Sequence, residues 1–323
     1  MSMGDGVRRN LAQISHEELH RLKDAFIELN RRFYPGNREE IPAGGVTHWF
    51  KQDEIHQSTH VHGGPAFLPW HRELCNRLEV LLRDVDPVLS LHYWDWTTDP
   101  QNSPDGTGGF VNLFTSHFMG AANGMAGEPW LSAGFYNPDA SPDRDTSSNP
   151  ADPPRNLIRA VGAGIPELEV ADSTVIAAET YPEMRDFNTG LERAHNLAHS
   201  YIGGSIGFTH TAFRDPFVFL MHSNVDRLFA LWQRQPGKKW RLDPEQVYGT
   251  ESNTDTVMHP FLGSPIPGIL TPMEPWAGNP NNSPGIVRTR PWATPENEHL
   301  MPENRKNSKH ASVVMPPRYD TDP

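Results

Sequence analysis

At 323 residues, with 36% apolar residues, 31 prolines and 26 glycines, the chain is long enough to bury a large core but carries much irregular connection. A formal charge of -12, from 40 Asp and Glu against 28 Lys and Arg, argues against nucleic acid and anionic membrane surfaces as partners and favours a small neutral or cationic ligand. No window approaches the roughly 18 apolar residues of a membrane span, no apolar stretch of secretory type opens the chain, and a cytoplasmic location is expected; the single cysteine, Cys75, excludes an internal disulfide or a thiolate-rich metal site.

Residues 15–31, SHEELHRLKDAFIELNR, set Leu19, Leu22, Ala25, Phe26 and Leu29 at helical spacing, with Ser15 as N-cap and Glu18 as its capping-box partner. A second helix is expected over about 46–57. A third runs from near Pro69 to about Asp84, with Leu74, Leu78, Leu81 and Leu82 along one side and the Asp86-Pro87-Val88 sequence ending it. From about 97 to 180, runs such as TTDPQNSPDGTGG and NPDASPDRDTSSNPADPP predict long surface loops. Helical patterning returns at about 183–201 and 215–234. Beyond 240 the chain is again rich in Pro, Asn and Gly, and PENRKNSKHASVV reads as a tail strapped over the surface.

Histidine carries the chemistry. His195 and His199 are four apart, so on a helix they project from one face a turn apart, close enough to share a metal ion, although HxxxH also arises by accident among 16 histidines. His222 lies in an apolar helix with Asp226 one turn on, and a buried histidine so placed needs a partner. In the other half, His56, His60, His62 and His71 crowd into EIHQSTHVHGGPAFLPWHRELCNRLE. Two sets of three imidazoles, with no carboxylate or thiolate among them, argue against magnesium, calcium and iron-sulfur chemistry and leave copper or zinc. Dinuclear zinc hydrolases usually use carboxylates, none of which stands at ligand spacing here, so copper is favoured.

Taken together, HGGPAFLPWHR (62–72), YWDW (93–96), HNLAH followed by GG (195–204), DPFVFLMHSNVDRLFALWQ (215–233) and the opening VRRNLAQIS resemble the tyrosinase and catechol oxidase family of type 3 copper proteins, which includes ortho-aminophenol oxidases. The likeness spans roughly residues 7–235. It implies a mainly α fold: a four-helix bundle holding a dinuclear copper centre, surrounded by long irregular loops with little β structure. It is read as one domain over 1–323, the segment 236–323 packing on a core at about 7–235. The resemblance further implies two copper ions, each held by three histidine Nε2 atoms, with O2 as co-substrate. His62 and His71 are carried over to the first copper and His195, His199 and His222 to the second. The sixth ligand is a choice between His48 and His56, and FKQDEIH, with an aromatic residue six positions before its histidine, favours His56; His60 is read as a supporting or surface residue.

The activity implied is oxidation of a small ortho-diphenol or ortho-aminophenol to a quinone or quinone imine, with monophenol hydroxylation in some members. Glu192 and Asn196 resemble the pair that holds a base-like water in hydroxylating members, and Val218 and Thr209 fall at the substrate pocket. Asp226 and Arg227 are expected to support the ligands from outside, Asp226 pairing with Arg8. Met221 stands where many members have a further histidine and is read as packing. Cys75 is wrongly placed for the cysteine-histidine crosslink of some relatives, so that link is expected to be absent. Two other functions compete: reversible O2 binding of haemocyanin type, and a dinuclear zinc hydrolase. The resemblance leaves open an accessory copper-delivery protein.

Overall fold

A computed structural model of the chain describes residues 3–32, 48–49, 52–53, 56, 61–62, 67–125, 157–162, 184–208, 211–242, 256–258, 265–267 and 316–323. Four helices dominate them: α1 (His16–Arg31), α2 (Phe67–Val85), α3 (Met184–Ile202) and α4 (Phe217–Gln233). Of the helix expected over 46–57, residues His48, Trp49, Gln52, Asp53 and His56 are described, and each is helical. Every strand among the described residues is two or three residues long and belongs to a two-stranded pair, so the fold is mainly α, as expected. His60, Thr209, the run 137–154 and PENRKNSKHASVV lie outside the described residues.

The helices form where apolar spacing and caps coincide. Ser15 Oγ accepts the Glu18 N–H at 3.1 Å, which satisfies one of the orphan donors at the start of α1. The capping box is not reciprocal: the Glu18 carboxylate is buried and meets His92 Nε2 at 2.9 Å, joining α1 to the segment that follows α2. At the end of α2, the Asp86 carboxylate takes Arg21 of α1 at 2.7 and 2.9 Å, so the chain turns where the two helices are pinned together. Leu22, Phe26, Leu74, Leu78 and Leu82 join one core with Trp49, Trp70, Trp94 and Trp232.

α4 is the axis of the molecule, and every one of its residues is buried. Polar side chains on it are tied to their surroundings: Ser223 Oγ donates to the Leu91 carbonyl at 3.0 Å, and Arg227 reaches Asn224 Oδ1 at 2.8 Å and lies over the Tyr93 ring. Its start is fixed by Asp215, whose carboxylate accepts the Phe217 N–H at 3.0 Å and two bonds from the buried Arg159 at 2.7 Å.

The two ends of the described chain meet behind α4. Val7–Arg8 (β1) pairs in parallel with Arg318–Tyr319 (β2), in the register Val7 with Arg318 and Arg8 with Tyr319. Arg8 is fully buried and donates to Glu79 (3.1 Å), Asn76 (3.0 Å), Asp226 (2.9 Å) and the Tyr319 hydroxyl (2.9 Å). Asp226 therefore takes the partner expected from the sequence, and Arg72, the residue after His71, binds its other oxygen.

Burial alone would raise the Glu79 carboxyl. The Arg8 and Arg83 charges, with hydrogen bonds from Arg8 and the Leu91 N–H, outweigh it and bring the group down to about 2. A depressed acid contributes stability that is complete above its unfolded value near 4.5 and is lost as the pH falls from there toward 2. The urea midpoint of the wild type is expected to drop across that window by the equivalent of a few kcal/mol. Glu79→Gln should start lower and show a shallower drop, and a parallel pH profile for the two proteins would refute the assignment.

Candidate metal centre

The first histidine group takes His71 from α2, His62 from the irregular chain ahead of it and His56 from a helical position further back; the second is assembled from α3 and α4. His71 is the fifth residue of α2 and donates its Nδ1–H to the Phe67 carbonyl at 2.8 Å; His222 on α4 does the same to the Val218 carbonyl at 2.7 Å. In both, a carbonyl four residues back fixes the tautomer and leaves Nε2 as a bare lone pair directed into the bundle. His195 and His199 share a face of α3. The helix ends at the two glycines expected to follow it: Gly203 and Gly204 have φ of +61° and +58°, and a Cβ on Gly204 would stand 2.2 Å from the Ile158 carbonyl. That tight turn brings the Ile206 carbonyl back over α3, where it accepts the His199 Nδ1–H at 2.7 Å. His195 Nδ1 faces Asn196 Oδ1 at 3.0 Å.

Ligating atoms of His56, His62 and His71 lie within 4.8 Å of one another, and so do those of His195, His199 and His222. The two triads face each other: His71 stacks on His222 with ring centroids 5.0 Å apart, and His62 is 6.1 Å from His195. His56, and not His48, is the residue that the structure brings to His62 and His71; the His48 N–H instead bonds the Arg32 carbonyl at 2.9 Å.

The site's own chemistry asks for cations. His195 Nε2 lies 2.9 Å from His222 Nε2 and 2.8 Å from His199 Nε2, although each of these rings turns Nδ1 toward an oxygen acceptor. Three lone pairs thus converge with no proton between them, a repulsive arrangement that a metal ion converts into a favourable one. Burial, followed by the charges of the neighbouring imidazoles, holds His56, His71, His195 and His222 well below the usual histidine range, and burial brings His199 down to about 4. Neutral imidazole is the ligating form. His71 Nε2 and both ring nitrogens of His56 are buried and have no protein hydrogen-bond partner, which fits donors kept for an ion.

A cavity of about 350 Å³ lies over the paired triads, lined by His56, His62, His195 and His199 together with Glu192, Asn196, Ser200, Ile206 and Gly207. Asn196, Ser200 and Gly207 are exposed at its mouth, while Glu192 is buried in its wall. Glu192 and Asn196 are therefore where a residue acting on bound substrate would stand. Val218 is fully buried in the core and is not among the residues lining this cavity, and its carbonyl orients His222. Arg227 donates to Asn224 Oδ1 and lies over the Tyr93 ring, while Asp226 accepts from Arg72, the residue after His71, and from Arg8 and the Tyr319 hydroxyl at the joint between α2 and α4. Sequence reasoning missed Ser200, which the four-residue step from Asn196 along one helical face could have found, and Ile206, whose part is played by a backbone carbonyl.

Known proteins match this geometry. A family model described as the common central domain of tyrosinase matches residues 44–235. The chain is 32% identical to tyr-3, a tyrosinase-like protein of Caenorhabditis elegans, over 80% of this chain and 35% of that protein, so it spans about a third of that relative's length. It is 30% identical to a tyrosinase of Streptomyces antibioticus over 71% of this chain and 83% of that one. Hemocyanin 2 of Megathura crenulata is 28% identical over 85% of this chain, which covers 7% of that protein. Among solved structures, a polyphenol oxidase of Thermothelomyces thermophila shares the fold with a TM-score of 0.57 at 19% identity, over 82% of this chain and 85% of that one.

A helical bundle with two facing histidine triads defines a type 3 dinuclear copper protein. Within that class the chain belongs to the tyrosinase family, whose members bind two copper ions and O2. Among the described residues, no helix is long and apolar enough to cross a membrane.

Proposed function

We propose that the protein is a copper-dependent oxidase that uses O2 to convert ortho-diphenols or ortho-aminophenols to quinones or quinone imines. His56, His62 and His71 hold one copper ion and His195, His199 and His222 the other. The cavity carries this reading. At about 350 Å³ it falls within the size range of small-ligand pockets, its floor is formed by histidine rings from both triads, and its mouth reaches solvent at Asn196, Ser200 and Gly207. Reversible O2 storage requires space for a diatomic molecule alone. When bound, the copper pair supplies the redox chemistry, activating O2 and accepting electrons from the phenol.

The chain's own residues bind, orient and move protons. The Phe67, Val218 and Ile206 carbonyls fix the rings of His71, His222 and His199, so these three ligands are oriented before a substrate enters. Asn196 uses Oδ1 to hold His195 from the cavity wall. Glu192, three residues before His195 on the same helix, supports a water together with Asn196; that water takes the proton of an incoming monophenol, whose unperturbed pKa near 10 keeps it protonated at neutrality. Glu192→Gln should lower monophenol turnover by about 10²-fold or more, the range of one general-base contribution, and leave diphenol turnover within about twofold. Equal loss on both substrates in steady-state assays would remove Glu192 from this role.

The similarity to a haemocyanin favours a second reading, reversible O2 binding without turnover. Oxygen uptake by copper-loaded protein decides between them, using catechol, ortho-aminophenol and a tyrosine-like monophenol. Sustained O2 consumption with quinone formation is expected. An O2 adduct that forms and is released under argon, with no product from any of the three, would make the protein a carrier.

A further inference from the structure

His56 differs from the histidines whose ring is fixed by a hydrogen bond. His71, His199 and His222 each anchor Nδ1 on a backbone carbonyl and His195 faces Asn196 Oδ1, whereas both ring nitrogens of His56 are buried without a protein partner. An imidazole without such an anchor can rotate about its Cβ–Cγ bond and sweep its lone pairs out of position. One neighbouring ring restrains it. Phe213, fully buried, stacks on His56 with ring centroids 4.1 Å apart and planes 26° apart, the closest ring contact that His56 makes among the described residues. Its other neighbours are His222 at 4.9 Å and Phe219 at 5.0 Å, so a single phenyl ring touches one histidine of each triad.

The backbone carrying Phe213 is itself tied down. It lies in the single 3-10 turn Ala212–Arg214 ahead of α4. Arg214 Nε donates to Asp53 at 3.0 Å and the Arg214 carbonyl accepts the Trp49 Nε1–H at 3.0 Å, both partners lying on the helical stretch that leads to His56. On the other side, Asp215 is held by Arg159 and caps α4. The turn therefore spans the helices of His56 and His222, and Phe213 is the side chain it places between their rings.

We propose that Phe213 is a positioning residue for the first copper site: its stack fixes the plane of the His56 ring where a hydrogen bond fixes those of His71, His199 and His222, and its contact with His222 sets the two triads in register. Stacking suits this task because an imidazole whose lone pair goes to a cation becomes electron-poor and is drawn to the face of an electron-rich ring. The inference rests on the reading that His56 is a copper ligand.

The test uses the full chain loaded with two copper ions and challenged with a competing chelator, comparing Phe213→Leu with wild type, with His56→Ala, with His222→Ala and with Phe26→Leu, the same exchange at a fully buried ring of α1. Phe213→Leu is expected to lose one of its two copper ions at a chelator concentration about 10-fold or more below that needed for wild type, the scale of lost support around a metal ligand. The half-filled protein should show the mononuclear Cu(II) paramagnetic resonance signal of His56→Ala and not that of His222→Ala. Phe26→Leu should retain both ions as wild type does, with a comparable drop in the melting temperature of the metal-free form. Wild-type copper retention by Phe213→Leu, or equal loss from Phe26→Leu, overturns the inference. Two tightly held copper ions in His56→Ala would instead overturn the ligand assignment beneath it, so the two failures are distinct.

Discussion

Replacing His222 by Ala is expected to leave a folded bundle that holds about one copper ion per chain and oxidises catechol at least roughly 10³-fold more slowly than wild type, because groups that act as a unit lose function together. His222 stands where the triads meet. Its Nε2 is 2.9 Å from that of His195, and its ring stacks on His71 at 5.0 Å. The substitution leaves His195 and His199 as two of the three donors, too few for the closed coordination that a fixed ion needs. In the metal-free chain the loss is gentler, since one of three crowded lone pairs disappears with the ring and offsets part of the cost of the void. Metal analysis and oxygen uptake check the outcome together, and two retained ions with an unchanged rate would dissolve the second triad as a copper site.

Arg8→Met is expected to cost about 3–5 kcal/mol of unfolding free energy, the usual result of stranding a buried charge by removing its partner. The side chain loses its bonds to Glu79, Asn76, Asp226 and Tyr319 together, and Glu79 keeps only Arg83, at 3.6 Å, as a cationic neighbour among the ion pairs found there. Tyr319→Phe is milder, about 1–3 kcal/mol, because it leaves the charges paired and removes one hydroxyl shared between Asp226 and the Ser223 carbonyl. Urea midpoints at neutral pH order the three proteins. A loss below about 1 kcal/mol in Arg8→Met would show that the surrounding arginines carry the network without it.

Much of the site was legible because its information is local and periodic. His195 and His199 sit one helical turn apart, His222 interrupts an otherwise apolar helix, and PW before His71 falls in the first turn of α2; these patterns marked four histidines, and the family resemblance added His62. His56 was harder. Its choice over His48 depended on a helix of which five residues are described, and its selection comes from packing against Phe213 and His71, contacts between distant parts of the chain. A motif position such as that of Val218 gives a place along α4 but not the direction in which a side chain points once the helix is buried on all sides. Backbone groups left no trace at all. The Ile206 carbonyl orients His199 whatever side chain residue 206 carries, and only the glycine pair before it hinted at the turn. Glu18 fulfilled the spacing of a capping box, yet a buried histidine outcompeted the backbone for its carboxylate. Tyr319 was not singled out within the segment 236–323 expected to pack on the core, because the sequence near it is too polar to announce one buried aromatic residue.

The parallel pairing of Val7–Arg8 with Arg318–Tyr319 imposes an order of events during synthesis. Arg8 leaves the ribosome before any histidine of either triad, and Tyr319 leaves after all of them, so the bundle and its ligand face can gather while one position behind α4 is still filled by water. Asp226 then waits with Arg72 and Arg8 until the last strand docks and the phenol hydroxyl seals the joint. Stalled or truncated chains would thus present a complete set of donors on a loosely backed helix, able to capture metal before they are able to keep it.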